Sequence, residues 1–114
     1  HPADQWTAEF VGTVSLLKGE AASGFANCSL GSVAIDPQLN GSVDVLIRPE
    51  QLSITAGGDG EVQSVEYYGH DSMIFVALGD DQIRVRCGPL VKFNRGDQVQ
   101  LQFTSDQALA FRSD

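Results

Sequence analysis

The stretch Gln98-Val99-Gln100-Leu101-Gln102-Phe103 carries an apolar residue at every second position. An extended chain sends successive side chains to opposite faces, so Val99, Leu101 and Phe103 share one face and the three glutamines the other. The stretch reads as a half-buried strand. The same alternation recurs upstream, with Val43, Val45 and Ile47 against Asp44, Leu46 and Arg48, and with Ile83, Val85 and Cys87 against Gln82, Arg84 and Arg86. Met73 to Leu78 is apolar on both sides, the pattern of a strand covered on two faces, which places it inside a sheet.

Turn chemistry separates these runs. Gly79-Asp80-Asp81 lies between Leu78 and Ile83 and predicts a hairpin. Asn40-Gly41, Gly57-Gly58-Asp59-Gly60 and Asn94-Arg95-Gly96-Asp97 supply residues that tolerate positive φ and predict further breaks. Toward the N-terminus, Thr7 to Leu17 predicts a strand, a Gly-rich hairpin region follows, and Phe25 to Leu30 and Ser32 to Ile35 continue the pattern. Asp36-Pro37 to Gly41 forms a polar turn. No segment of ten or more residues has helical period. Short antiparallel strands at close spacing predict an all-β sandwich or small barrel. Each half of the chain is too small to bury a core alone, so residues 1–114 are expected to form a single domain.

Composition narrows the function. The 114 residues hold 7 Lys and Arg against 15 Asp and Glu, a formal net charge of −8. Binding to nucleic acid or to an anionic membrane surface draws on clustered cations, which this chain lacks. No apolar run approaches the ~18 residues needed to span a bilayer, so direct membrane insertion is not expected. The chain starts at His1-Pro2 without an initiator Met, which suggests a piece of a longer protein. Cys28 and Cys87 are isolated, without metal-ligand spacing, and read as reduced buried thiols rather than a disulfide.

Catalytic patterns are thin. His70, in Tyr67-Tyr68-Gly69-His70-Asp71, has a carboxylate neighbour, yet Gly69 marks a turn that would expose both His70 and Asp71 at its tip. One His beside one Asp makes no metal site. Arg84 and Arg86 share a strand face and are candidates for contact with a small anion; the simpler expectation is a solvated face meeting the excess carboxylates. No phosphate-binding Gly-x4-Gly-Lys-Ser/Thr loop occurs, so no ATPase activity is expected of this chain, and no catalytic, cofactor or metal residue is assigned. Pro49 ends the strand before it and turns the chain. Arg48 and Glu50 flank that corner, either as a local ion pair or facing a partner subunit. Tyr67 and Tyr68 are expected on opposite faces, one entering the core and the other offered to a protein interface.

Val43-Asp-Val-Leu-Ile-Arg-Pro-Glu-Gln-Leu-Ser-Ile54 resembles the strand, Arg-Pro-Glu, strand signature of the transport-associated OB (TOBE) region that closes the ATPase subunits of ATP-binding-cassette importers. Ala8-Glu9-Phe10-Val11-Gly12, Ser29-Leu30-Gly31, Val65 to Ser72 and Gly96-Asp97-Gln98-Val99 are similar to the family's other landmarks and fall in its order. Ser15 departs from the Asn that relatives often carry. The resemblance implies an OB-like β-barrel or sandwich, a missing N-terminal nucleotide-binding domain that would use ATP and Mg, and a cytoplasmic place at the inner face of the membrane. The implied partners are a twin ATPase subunit and a transmembrane permease. Tyr67-Tyr68-Gly69-His70-Asp71 and Phe10-Val11-Gly12 to Leu16-Leu17 look most like the ferric-ion class, although polyamine, sugar, sulfate and molybdate importers share the architecture. The implied role is a non-catalytic, dimer-stabilising regulatory domain; the alternative is a sensor that binds the solute or an oxyanion.

The face assignment has a direct check by chemical denaturation. Leu101→Asp should cost about 3 kcal/mol by burying an unpaired charge, and Gln100→Asp should stay within about 0.5 kcal/mol.

Overall fold

Ser23 and Gly24 both have positive φ, 55° and 86°, and make the two-residue loop that folds β1 (Ser15–Ala22) onto β2 (Phe25–Cys28). Paired positive φ values give a loop whose twist matches its flanking strands. The computed structural model describes residues 14–113. From β2 the chain turns at Ser29-Leu30 into β3 (Gly31–Ala34) and then runs through β4 (Gly41–Ile47) to a single 3-10 turn at Pro49–Gln51. There follow β5 (Leu52–Tyr67), β6 (Ser72–Leu78), β7 (Asp81–Cys87), β8 (Gln98–Phe103) and β9 (Leu109–Arg112). Gly79, at φ 60°, opens the predicted β6–β7 hairpin, in which Leu78 pairs with Asp81.

Two antiparallel sheets result, one ordered β3-β2-β1-β4-β9 and the other β7-β6-β5-β8. The fold is all-β and OB-like, and it is an open sandwich rather than a closed barrel. The outer strands of the first sheet touch through one backbone bond, Ala108 N to Ala34 O at 2.9 Å. With only four residues each, β3 and β9 are too short to extend that contact into a ladder. Leu17, Val43, Val45 and Ile47 of the first sheet face Val62, Ile74, Val76, Ile83, Val85, Val99 and Leu101 of the second across the core. The alternation read in β4, β7 and β8 therefore holds, and β6 lies inside its sheet. Leu46, on the outward side of β4 between Leu16 and Leu109, is buried as well, which alternation alone does not foretell.

Two boundaries differ from the sequence reading. The first strand does not stop at Leu17: β1 runs on through Gly19 to Ala22, because Gly19 stays in register with Val43. A Cβ there would lie 3.0 Å from the Asn27 carbonyl oxygen, so the missing side chain admits β2 rather than ending β1. Residues 7–13 of that predicted strand, with the Ala8 to Gly12 landmark, are outside the described residues. The second difference is Gly57 to Gly60, which is a bulge within β5 and not a turn between strands. Ala56 and Gly60 both pair with Val99, so the intervening residues are thrown out of the ladder. A Cβ on Gly58 would sit 2.6 Å from the Val99 carbonyl oxygen and 2.7 Å from Gln100 Cα. Backbone cannot retreat as a flexible side chain can. Gly58→Ala is therefore expected to lower stability by about 2 kcal/mol or more in urea unfolding and to shift the amide resonances of Val99 and Gln100.

Candidate functional site

Tyr67, Tyr68, His70 and Asp71, singled out from the sequence, lie with Arg86 at one end of the second sheet. There β5 turns into β6 through Tyr68 to Asp71, closed by Tyr68 N donating to Asp71 O at 2.9 Å, with Gly69 at φ 92°. Asp71 is half-buried. Its carboxylate lies 3.7 Å from His70 Nε2 and 3.6 Å from Arg86 Nε, which reaches it from β7. The Tyr68 hydroxyl donates to Glu66 Oε1 at 2.6 Å, and this bond pushes the Tyr68 phenol above its ordinary pKa. Ser72, fully buried, donates its hydroxyl to Gly88 O at 2.7 Å and so ties the loop after β7 to the start of β6.

The tyrosines correct the sequence reading. Both are exposed, Tyr67 by 62% and Tyr68 by 48%, and neither enters the core. Tyr67 shares its side of β5 with Val65, which packs on the core, yet its own side chain stands open to solvent. His70 and Asp71 are together in the hairpin; His70 is exposed as expected beside one carboxylate, whereas Asp71, expected exposed, is half-buried where Arg86 reaches it.

Arg84 and Arg86 share a face, and each already has a protein partner. The Arg84 guanidinium donates to Val14 O at 3.2 Å and lies 5.4 Å from the centre of the Phe75 ring, while its backbone N–H donates to Ser15 Oγ at 3.2 Å. Arg86 faces Asp71. At the Pro49 corner no ion pair joins Arg48 and Glu50. The corner is closed instead by Arg48 N donating to Gln51 Oε1 and Gln51 N donating to Arg48 O, both at 2.9 Å. Pro49 is buried there, and Arg48 and Glu50 stand exposed.

Cys28 and Cys87 are free, and burial raises both thiols above the usual cysteine pKa. The Asp81 carboxylate near Cys28 acts in the same direction. No disulfide joins the two. Among the described residues no group of three or more His, Cys, Asp or Glu is placed to hold a metal. A shallow recess of about 70 Å³ lies between Ser29-Leu30 and the β5 bulge at Asp59-Gly60. It has room for a few waters.

Comparison with known proteins fixes the family. The profile of the TOBE domain matches residues 45–111, more than half of the chain. The chain belongs to the TOBE domain family. This TOBE domain is 34% identical to the Fe(3+) ions import ATP-binding protein FbpC 3 of Rhodococcus jostii, over 96% of the chain and 34% of that relative. It is 35% identical to FbpC 2 of the same organism over 89% of the chain and 32% of the relative. To the FbpC of Serratia marcescens it is 43% identical over 46% of the chain. It thus spans about a third of the length of these two Rhodococcus relatives. No helix among the described residues is long and apolar enough to cross a membrane.

Sequence reasoning missed three participants at this end of the domain: Glu66, Ser15 and Leu90. Glu66 precedes Tyr68 by two positions and was legible as a same-face neighbour. Ser15 stood out only as a departure from the Asn of relatives, and only the fold brings it to Arg84. Leu90, in the Gly88-Pro89 loop, is 89% exposed, and its signal was a large apolar residue amid turn formers. The two arginines separate by denaturation: Arg84→Ala should cost about 1–2 kcal/mol through the lost charged hydrogen bond and ring contact, and Arg86→Ala no more than about 0.5 kcal/mol.

Proposed function

We propose that this TOBE domain is the regulatory, dimer-stabilising part of the ATP-binding subunit of an ABC importer for ferric iron, and that it performs no reaction itself. The observation that carries the reading is the alignment of 96% of the chain with about a third of a protein named for ferric-ion import and ATP binding. Support comes from the chain's own residues. It contains no phosphate-binding Gly-x4-Gly-Lys-Ser/Thr loop, and its one imidazole in the described region is exposed and unpaired with any nucleophile.

On this reading residues 1–114 act as one unit. ATP and Mg are bound by the remainder of the subunit, a twin subunit and a membrane permease complete the assembly, and the domain lies at the cytoplasmic face. Its contribution is geometric: contact between twin domains persists while the ATP-binding units separate, which keeps the pair aligned through each cycle. The purified 114-residue chain should show no ATP turnover in a coupled phosphate-release assay and a weak, concentration-dependent self-association by sedimentation. Measurable hydrolysis would end the reading.

A further inference from the structure

Asn40-Gly41, read from the sequence as a break, is one of two places where glycine follows an Asn or Asp side chain; the other is Asp59-Gly60. In such a pair the glycine backbone nitrogen can attack the side-chain carbonyl before it, because no Cβ on the attacking residue blocks the approach. The structure treats the two pairs differently. A Cβ on Gly60 would lie 2.9 Å from Val76 and 3.1 Å from the Val99 carbonyl oxygen, so that backbone is packed in place. Gly41 is exposed with φ 83°, and nothing stands within 4 Å of the position its Cβ would take. Asn40 is exposed too, and among the described residues no hydrogen bond holds its carboxamide. Gly41 opens β4, and its pairing with Ala21 is the last rung between β1 and β4. End rungs open at little cost, which frees the Gly41 nitrogen.

We propose that Asn40 is a site of spontaneous modification, converting to aspartate and isoaspartate by deamidation through a cyclic imide. The Gly41 nitrogen gives its proton to hydroxide and bonds to Asn40 Cγ, the Cγ–Nδ2 bond breaks, and Nδ2 leaves as ammonia with a proton from water. A second water then opens the five-membered ring at either carbonyl. Opening at the side-chain carbonyl restores the backbone with aspartate at position 40; opening at the backbone carbonyl leaves the main chain running through the former side chain, one methylene longer. Overall an amide and water become an acid and ammonia, and nothing is oxidised or reduced. Either product adds a carboxylate to a chain of net charge −8, and isoaspartate also lengthens the main chain where β4 begins. The other two asparagines lack this combination. Asn27 lies inside β2, paired with Glu20 on one side and Ser32 on the other, and precedes Cys28; Asn94 precedes Arg95.

The test is incubation of the 114-residue chain at neutral and mildly alkaline pH, followed by peptide mapping with isoaspartyl detection. Asn40 should convert at least tenfold faster than Asn27 or Asn94, at a rate that rises in proportion to hydroxide, with isoaspartate in excess of aspartate and Asp59 unchanged. Asn40→Gln should abolish the reaction at this position, because its ring would have six members, and should keep the melting temperature of the chain. Conversion of Asn40 less than tenfold faster than that of the other asparagines overturns the proposal. So does a product free of isoaspartate, which would mean direct hydrolysis of the carboxamide without attack by Gly41.

Discussion

The bend in β5 governs the arrangement of the second sheet. One strand of 16 residues pairs with β8 over its first half and with β6 over its second, and both Ala56 and Gly60 claim Val99 as partner. Three residues must leave the ladder for that to happen, and they leave it across a neighbouring backbone. Only a residue without a side chain fits at position 58, where a Cβ would meet a carbonyl oxygen and a Cα at contact distances that real structures do not tolerate. Gly60 meets a similar limit against Val76. With the bend in place, Val62, Val76 and Val99 converge on the core, and the Tyr68 hairpin is carried to the far end of the sheet.

The two sheets are joined at a second place by different means. β7 ends the second sheet and would present free backbone groups. The Arg84 N–H is taken by Ser15 Oγ at the start of β1, and Ser15 is itself buried. An unsatisfied N–H there would be costly, because water has little access to it. The hydroxyl of a residue in the first sheet thus takes one edge N–H of the second. Sheet edges left bare invite pairing with other chains, so the same contact that joins the layers also covers an edge.

How much of this was legible follows from the range of each interaction. Period-two alternation is a local property, and it revealed β4, β6, β7 and β8 and the inward residues of each. The Gly79-Asp80 hairpin was legible because its conformation is set by its own residues. Glycine was ambiguous: the reading that Gly19 and Gly57 to Gly60 break strands treated them as punctuation, whereas at Gly19 and Gly58 the reason for glycine is the approach of a strand distant in sequence. Tyr67 failed for a related reason. Alternation gives the side of the sheet a residue occupies and says nothing about where the opposing sheet ends. Arg84 and Arg86 look alike in sequence and differ in the structure because one lies against Val14 and Phe75 and the other against Asp71.

The two thiols and the Tyr68 phenol sit in environments that favour their protonated forms. Burial keeps the Cys28 and Cys87 thiols protonated at neutral pH, which withholds the thiolate that would attack or bind metal. The Tyr68 phenol is likewise held neutral, because its proton is engaged by Glu66. The charged side chains at the sheet end, Asp71, His70 and Arg86, face one another. What that end offers to a neighbour is shape: aromatic and aliphatic side chains on loops fixed by buried or backbone hydrogen bonds.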